Sequence, residues 1–382
     1  MSTSEAHWIN DNAGLRAVVE RCATSSAYAL DTEFHRERTY FPQLALIQVR
    51  VGDETFLVDP LTCDVGLFAA AFNSPSLCIL HAAQQDLEVL LQESGSVPSR
   101  IYDTQLAAGF LGYSSPSLAS LVHMEAGEML PKGDRMSDWL RRPLSESQRR
   151  YAALDVAYLA MIHRSQIQRL TELGRLEWVE SACEELRSRD HGPADPTTAW
   201  MRVKDARTVK RADRGVAMAV AEWRERRAAE LNIPVRRVLS DVALMAIVHA
   251  KPSSIEELST CRGLDVRGLG RGGGDAVVAA VREGLGRTVE IPESDPEPVD
   301  RNMRGVVPLL MAWLADLART NAMDPTLVGT RRDVVEFLSG DDRARLRQGW
   351  RRQMVGDDLH RIVSGAAAVA FRPDGSLALV QT

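Results

Sequence analysis

The chain contains 382 residues, of which 45% are hydrophobic and 26% are charged, and its net charge is −6 at pH 7. This length predicts two or three domains, and the proportions are those of a soluble globular protein. No apolar run approaches the ~20 residues that cross a bilayer, and the five cysteines are scattered without a CxxC pair, which disfavours a membrane span, a disulfide framework and a zinc knuckle. The opening MSTSEAHWIND is polar and acidic and does not resemble a secretion signal, and the scattered cysteines fit a reducing compartment, so the expected location is the cytoplasm.

The first half of the chain alternates strand-like and helical patterns. Strands are predicted for SSAYALDTEF, QLALIQVRVG, ETFLVDPL and PSLCILHAA, which are apolar or β-branched runs punctuated by Gly, Pro and Asp. The first three lie too close together for crossover helices, so antiparallel pairing is expected there. AQQDLEVLLQESG predicts a helix that ends at Gly95, and a longer helical stretch runs from Ser145 to about Arg189, divided at Gly174. These elements predict a mixed α/β domain over residues 1–190.

Two changes in composition divide the rest of the chain. HGPADPT (residues 191–197) is typical of a linker, and helical periodicity replaces the strand signals from Ala199 onward. The acidic, proline-rich EIPESDPEPVD predicts a second linker over residues 290–302. We therefore expect a first helical block at residues 199–289 and a second helical block at residues 303–382. Both contain an apolar helix with a Trp followed by a proline turn, although the last residues, AAAVAFRPDGSLALVQT, are more typical of strand.

Charge is distributed unevenly along the chain. A basic segment, residues 200–240, carries eleven Lys or Arg against five Asp or Glu and so has a net charge of +6. Charge segregated in this way predicts a phosphate-binding surface, and hence a nucleic-acid partner. A solvated helix face is the alternative that this feature alone leaves open.

Four acidic residues lie inside or beside apolar elements. Asp31 and Glu33 are two apart on a predicted strand and share one face, Asp86 lies on the first turns of a helix, and Asp155 is surrounded by Ala, Leu and Val. Asp86 alone has a simpler explanation as an acid favoured by the helix dipole, and Asp103 is predicted to be a helix N-cap. Uncompensated burial of so many carboxylates is strongly destabilising. Divalent cations such as Mg²⁺ compensate it through oxygen ligands, and a pair of them serves phosphodiester cleavage.

The motifs DTEF, HAAQQDLEVL, YDTQLAA and YAALDVAYL, in this order and spacing, resemble the four-acid (DEDD) 3′–5′ exonuclease superfamily, and within it the ribonuclease D family. The resemblance implies a ribonuclease H-like α/β fold, a mixed sheet with helices on both faces. It also implies that Asp31, Glu33, Asp86 and Asp155 hold two divalent ions, Mg²⁺ or Mn²⁺. Tyr151, four residues before Asp155, corresponds to the tyrosine type of the superfamily and would orient the attacking water. These five residues are the predicted catalytic set.

The first helical block resembles an HRDC domain, the small all-α module found in ribonuclease D and RecQ-type helicases. The matching features are WR at Trp223, NIP at Asn232–Pro234 and VLSDVAL. The second helical block resembles a more divergent copy, so the predicted architecture is an α/β exonuclease domain followed by two small all-α HRDC-like domains. In this family the HRDC domain has an auxiliary nucleic-acid-binding role, which agrees with the charge of the basic segment.

The resemblance implies a metal-dependent 3′–5′ exoribonuclease that releases 5′-mononucleotides. The expected substrates are tRNA precursors, bound by the exonuclease cleft and the HRDC-like domains of a chain for which a monomer is favoured. A 3′–5′ exodeoxyribonuclease is an alternative, because nothing in the sequence reveals recognition of a ribose 2′-hydroxyl. A non-catalytic RNA-binding adaptor is a further alternative, but it predicts erosion of the acids, and all four acids and Tyr151 are present.

Overall fold

The structure is a computed structural model that describes residues 6–131, 137–204, 206–289 and 305–382. The predicted linker at residues 290–302 lies outside these residues. By their contacts the described residues form two compact units. The first unit comes from Met1–Thr32, Leu46–Asp190 and Glu293–Thr382, and the second from Glu33–Ala45 and His191–Pro292.

A six-stranded mixed sheet forms the centre of the α/β domain. Its strand order is β1-β4-β3-β2-β5-β6, with β3 antiparallel to β4 and with β1–β4, β2–β5 and β5–β6 parallel. The four strands predicted from the sequence are confirmed, and β1 and β6 are additions, since a strand of three residues carries little signal in the sequence. The strands are β1 (His7–Ile9), β2 (Ala27–His35), β3 (Gln43–Val51), β4 (Glu54–Val58), β5 (Leu77–Leu80) and β6 (Ile101–Asp103).

Helices connect and follow these strands. The predicted helix after β5 ends at Gly95, which adopts a left-handed φ of 73°. The predicted stretch from Ser145 is three helices rather than two: Gly174 divides it as expected, and a further break falls at Tyr158, where no Gly or Pro marks it. The helices are α1 (Asn12–Thr24), α2 (Ala69–Phe72), α3 (Gln84–Ser94), α4 (Thr104–Gly109), α5 (Leu118–Ala126), α6 (Glu146–Ala157), α7 (Leu159–Glu172) and α8 (Leu176–Arg187).

Every regular element among the described residues of the first helical block is helical, as predicted. Short 3₁₀ turns lead into the long α9, which packs against α13 around a core that contains Trp200, Val220, Leu244 and Val277. The helices are α9 (Arg214–Leu231), α10 (Val235–Val238), α11 (Asp241–Ala250), α12 (Ile255–Ser259) and α13 (Gly273–Leu285).

The second helical block begins with helices and ends in a β-hairpin. The prediction that it is all-α is therefore wrong for its last residues, whose alternating apolar pattern matches the two antiparallel strands. Among the described residues, no helix combines the length and apolar composition that crossing a membrane requires. The elements are α14 (Val306–Thr320), α15 (Pro325–Val328), α16 (Arg331–Leu338), α17 (Gly349–Arg351), α18 (Asp357–Val363), β7 (Ala367–Phe371) and β8 (Leu377–Gln381).

The second helical block packs on the α/β domain, within the same unit. The ring of Trp350 stacks on Trp178, with 5.3 Å between ring centroids, and meets Phe110 edge-on. The buried Arg175 donates hydrogen bonds to the backbone oxygens of Phe110 (2.8 Å) and Asn321 (2.6 Å). Stacked indoles and a buried guanidinium whose donors are used this way form a specific contact.

Close approach of α9 and α13 requires glycine at position 284. A Cβ added there would lie 2.5 Å from Val216 Cα and 2.6 Å from Gly215 O, and backbone atoms cannot move aside as a flexible side chain can. We expect Gly284→Ala to lower the free energy of unfolding of the first helical block by about 2 kcal/mol, as overpacking does. Urea unfolding measures this. Gly286→Ala is the control, because its Cβ would meet nothing closer than 3.6 Å; equal effects of the two substitutions would contradict the packing argument.

Candidate active site

Strand β2 and helix α6 carry four of the five predicted catalytic residues. On β2 the side chains of Asp31 and Glu33 point to one face, and the intervening Thr32 is buried on the other. On α6, Tyr151 and Asp155 are four residues apart, which is about one helical turn. The two elements therefore supply pairs of functional groups with fixed spacing.

The structure brings three of the predicted acids together. One carboxylate oxygen from each of Asp31, Glu33 and Asp155 lies within 4.8 Å of the other two, and all three side chains are partly buried. We call these three residues the acid cluster. A set made only of carboxylate oxygens fits hard divalent cations such as Mg²⁺ and Mn²⁺ and fits thiolate- or imidazole-preferring metals poorly.

Asp86 is not a member of the acid cluster. It lies in the first turn of α3, is 6% exposed, and its carboxylate accepts a hydrogen bond from the Thr32 hydroxyl. Thr32 is the neighbour of Asp31 in the chain, so this bond fastens α3 to the strand that carries two members of the cluster. The structure thus places Asp86 against β2, and its role as a metal ligand stays a prediction.

Burial changes the titration of two of these acids. It raises the pKa of Asp86 to about 7, although the hydrogen bond from Thr32 acts in the opposite direction. It also raises the pKa of Asp155 to about 7. A carboxylate with a raised pKa is costly in its charged form, and a divalent cation nearby lowers that cost. The acids are therefore placed where a cation is energetically favoured.

The ring of Tyr151 packs against Trp139. The two ring centroids are 5.9 Å apart, and Trp139 is 2% exposed. A large buried ring in this position restricts the rotamers that the Tyr151 side chain can adopt. The sequence analysis did not identify Trp139, because a Trp in an irregular segment carries no periodic signal. Its position in DWLRRPL, directly before the helix that carries Tyr151, is the sequence feature that could have indicated it.

Asp103 is the N-cap of α4, as predicted, and it also serves a second helix. Its carboxylate accepts hydrogen bonds from the backbone N–H groups of Gln105 (2.8 Å) and Leu106 (3.2 Å) in α4. It also accepts from the N–H groups of Ala82 (3.0 Å) and Ala83 (2.9 Å), where α3 begins. Asp103 therefore aligns the start of the helix that carries the buried acid, and its role is structural.

The basic segment contains both structural and exposed cations. Arg224 is 4% exposed, and its guanidinium donates to Leu239 O (3.1 Å) and to the carboxylate of Asp241 (2.7 Å), so it belongs to the core of the block. Part of the counted positive charge is thus used inside the block, a role that neither the predicted phosphate-binding surface nor the alternative of a solvated helix face includes. The exposed Lys and Arg residues that the structure describes in this segment include Lys204, Lys210, Arg236 and Arg237, and the guanidinium of Arg236 lies 3.7 Å from the carboxylate of Asp241.

Two family models match the chain. One, described as 3′-5′ exonuclease, matches residues 6–170, and the other, described as HRDC domain, matches residues 213–279. The first range contains all five predicted catalytic residues, and the second lies within the first helical block.

Curated relatives named ribonuclease D match almost the whole chain. That of Acidiphilium cryptum is 32% identical over 372 residues (95% of this chain and 94% of the relative), and that of Nitrobacter hamburgensis is 35% identical over 370 residues (95% and 96%). The crystal structure of Escherichia coli RNase D, an exoribonuclease involved in structured RNA processing, superposes with a TM-score of 0.82 at 30% identity and covers 94% of this chain and 99% of that one.

The raised pKa values predict how the stability of the metal-free protein depends on pH. Below about pH 4 Asp155 is protonated in both the folded and the unfolded chain; between about pH 4 and 7 only the unfolded chain loses the proton, so stability falls as the pH rises through this window. We expect Asp155→Asn to raise the free energy of unfolding in EDTA at pH 8 by about 1 kcal/mol or more. Thermal unfolding at pH 4 and pH 8 measures this.

The control substitution is Asp53→Asn, at a side chain that is fully exposed and carries no burial cost. Mg²⁺ is expected to raise the melting temperature of the unsubstituted protein more at pH 8 than at pH 5, because the cation binds the charged form. A variant of Asp155 that is destabilised equally at both pH values would show that burial does not penalise this carboxylate.

Proposed function

Because this chain belongs to the ribonuclease D family and is a 3′–5′ exoribonuclease, we propose that it is metal-dependent and that it trims structured RNA precursors, tRNA precursors among them, from their 3′ ends. The observation that carries the metal dependence is the acid cluster, in which residues separated by more than a hundred positions in the chain come within 4.8 Å. Burial of Asp155 supports it, since the charged carboxylate is costly there without a cation.

In this proposal Asp31, Glu33, Asp86 and Asp155 hold two divalent ions, Mg²⁺ or Mn²⁺. When bound, such a pair stabilises both the attacking and the leaving oxygen of an in-line displacement at phosphorus. The acids come from a strand and from two helices, and three of them, Asp31, Glu33 and Asp155, lie together in the acid cluster. Of the four, Asp86 is the one outside the acid cluster, and its hydrogen bond to Thr32 keeps it beside the strand.

Tyr151 orients the attacking water through its hydroxyl group. It lies one helical turn before Asp155, so the hydroxyl and the carboxylate can face the same phosphate, and the buried Trp139 limits its movement. The water oxygen forms a bond to phosphorus while the bond from phosphorus to the 3′-oxygen of the preceding nucleotide breaks. The phosphate thus stays on the released nucleotide, which leaves as a 5′-mononucleotide, and the RNA ends in a new 3′-hydroxyl.

The second helical block is proposed to be a divergent second HRDC domain. Its landmarks follow those of the first block at a constant offset of 90 positions: Trp313 follows Trp223, Ala322 follows Asn232, and the N-cap Thr330 follows the N-cap Ser240. The four-residue helices α10 and α15 keep the same offset.

The backbone hydrogen bonds of the two turns also correspond. Asn232 and Ala322 both adopt a left-handed conformation, with φ of 48° and 46°. The next N–H donates to the carbonyl five residues earlier in each case, over 3.0 Å in the first block and 2.9 Å in the second. The left-handed conformation is costly for alanine, so the fact that Ala322 adopts it supports a common origin of the two turns. The terminal hairpin is where the second block departs from the pattern.

We propose that the exposed cations of the first helical block bind the RNA backbone beyond the nucleotide being removed. Arg236 and Arg237 lie on the short α10; the side chain of Arg236 is 79% exposed, and its guanidinium lies 3.7 Å from the carboxylate of Asp241. Contacts of this kind add affinity without reading sequence, which suits an enzyme that acts on many RNA ends. The description of the E. coli protein as an enzyme of structured RNA processing supports substrates larger than the cleft itself.

The central test is digestion of an RNA hairpin with a labelled 5′ end and a single-stranded 3′ tail. With Mg²⁺ we expect stepwise shortening from the 3′ end and release of 5′-mononucleotides, both abolished by EDTA. Asp31→Asn and Asp155→Asn should remove activity, and Tyr151→Phe should lower kcat about 100-fold, as loss of one positioned proton-transfer or orienting group does.

Tyr113→Phe is the matched control for Tyr151→Phe, because the Tyr113 hydroxyl contacts Arg169 rather than the acid cluster. A DNA hairpin of the same sequence distinguishes an exoribonuclease from an enzyme without sugar preference. Internal cleavage, or full activity of Asp31→Asn and Asp155→Asn, would refute the proposal.

Reversing two exposed charges tests the role of the first helical block. We expect the Arg236→Glu, Arg237→Glu double variant to weaken binding of the tailed hairpin and to lower the slope of log K against log salt by about 2, since each phosphate contact contributes about one. Hydrolysis of a trinucleotide should be unchanged. Arg16→Glu, an exposed reversal on α1, is the control; an unchanged salt slope in the double variant would argue against phosphate contacts by α10.

A further inference from the structure

The segment that follows β2 is held by the first helical block. We call residues 36–42, between β2 and β3, the post-strand segment; by its contacts it belongs to the unit that joins Glu33–Ala45 to the first helical block. Within it, Tyr40 packs against the hydrophobic core of the helical block, and its hydroxyl donates a 3.0 Å hydrogen bond to Glu225 on α9. Next to it, the backbone N–H of Phe41 donates to the side-chain oxygen of Asn232, over 3.1 Å.

Glu225 carries a charge in a buried position, so packing alone does not explain it. It is 7% exposed and would be costly there without partners, and the partners it has are the Tyr40 hydroxyl and the guanidinium of Arg202 at 2.9 Å. Burial, followed by the nearby Glu225, raises the pKa of Tyr40 to about 12, so the phenol remains a hydrogen-bond donor throughout the neutral range. The three groups form a network in which Glu225 is buried, Tyr40 is partly buried and Arg202 is about half exposed, and Tyr40 is the member that the α/β domain supplies.

Tyr40 lies close in the chain to Glu33, a member of the acid cluster. Strand β2 ends at His35, two residues after Glu33, and Tyr40 follows five residues later. The pairs between β2 and β5 run from Ala27 to Ala29, so on that side Glu33 lies beyond the ladder, while on its other side β2 borders β3 in the sheet. Strand ends fray more readily than strand centres, and fixing the chain soon after the end reduces that freedom.

We propose that Tyr40 and Glu225 are positioning residues of the metal site: α9, through its bond to Tyr40, fixes the post-strand segment and so holds Glu33 at the end of β2 in its place in the acid cluster. This inference rests on the proposed metal-dependent function. It assigns to the first helical block a task in catalysis that is separate from RNA binding. A substrate too short to reach the block would still depend on it.

The test compares Tyr40→Phe and Glu225→Ala with matched controls in the full chain. Glu222→Ala is the control for Glu225→Ala, because Glu222 is buried on the same helix but pairs with Arg226 and Arg287. Tyr113→Phe again controls for loss of a tyrosine hydroxyl. Limited trypsin digestion after Arg36 or Arg38, both exposed, reports whether the segment is anchored. Mn²⁺ binding by calorimetry and hydrolysis of a trinucleotide report on the site.

We expect both test variants to be cut about five-fold faster in the post-strand segment and to bind Mn²⁺ about five-fold more weakly, the equivalent of losing one hydrogen bond. The two substitutions together should have little more effect than either alone, because they remove the same bond. The controls should match the unsubstituted protein in both measurements. Trypsin and Mn²⁺ readings do not require activity, so they distinguish failure of this inference from failure of the proposed reaction.

Two results would overturn the inference. One is faster cleavage of the segment with unchanged Mn²⁺ affinity and unchanged trinucleotide hydrolysis, since anchoring would then not affect the site. The other is an equal loss in Glu222→Ala and Glu225→Ala, which would indicate general destabilisation of the block. If the hydroxyl alone proves too small a change, Tyr40→Ala also removes the ring from the core; unchanged Mn²⁺ affinity in that variant would be equally decisive against the proposal.

Discussion

The cost of burying carboxylates is the constraint on which the rest of this structure depends. Burial raises the pKa of both Asp86 and Asp155 to about 7, and Asp155 lies within 4.8 Å of two further acids. A protein selected for stability alone would not collect such groups. Their convergence from β2 and α6, beside the Asp86 of α3, is explained by divalent cations that act on a phosphate, the chemistry expected of the ribonuclease D family to which the chain belongs.

The elements that carry the acids are fixed by groups that leave the carboxylate charge in place. Thr32 offers Asp86 a neutral hydroxyl, Trp139 offers Tyr151 a ring, and Asp103 aligns α3 through backbone N–H groups. An arginine at any of these positions would stabilise the metal-free protein but would compete with cations for the carboxylates. At these three positions, support by hydrogen bonds and packing adds no positive charge beside the acids.

The sequence predicted the site better than it predicted its support. Acids in apolar runs, and the left-handed stop at Gly95, are local signals, so β2, α3 and the convergence of Asp31 with Asp155 could be anticipated. The break at Tyr158 has no Gly or Pro to mark it, and the short β1 exists only through its pairing with β4. Contacts such as Tyr40 with Glu225, 185 positions apart, depend on tertiary packing, which no periodicity in the sequence reports.

In both helical blocks, the turn after the Trp-containing helix forms hydrogen bonds to the nuclease part of the chain. In the first block the side chain of Asn232, at the left-handed turn after α9, accepts a hydrogen bond from Phe41 of the post-strand segment. In the proposed second copy, the corresponding turn donates from Asp324 N to Gly109 O, over 2.8 Å, and Arg175 donates to Asn321 O beside it. A turn that contacts the nuclease part of the chain in both copies is not wholly available to RNA. The proposed anchoring and the exposed positive charge therefore assign two tasks to these blocks, support of the nuclease part of the chain and RNA binding.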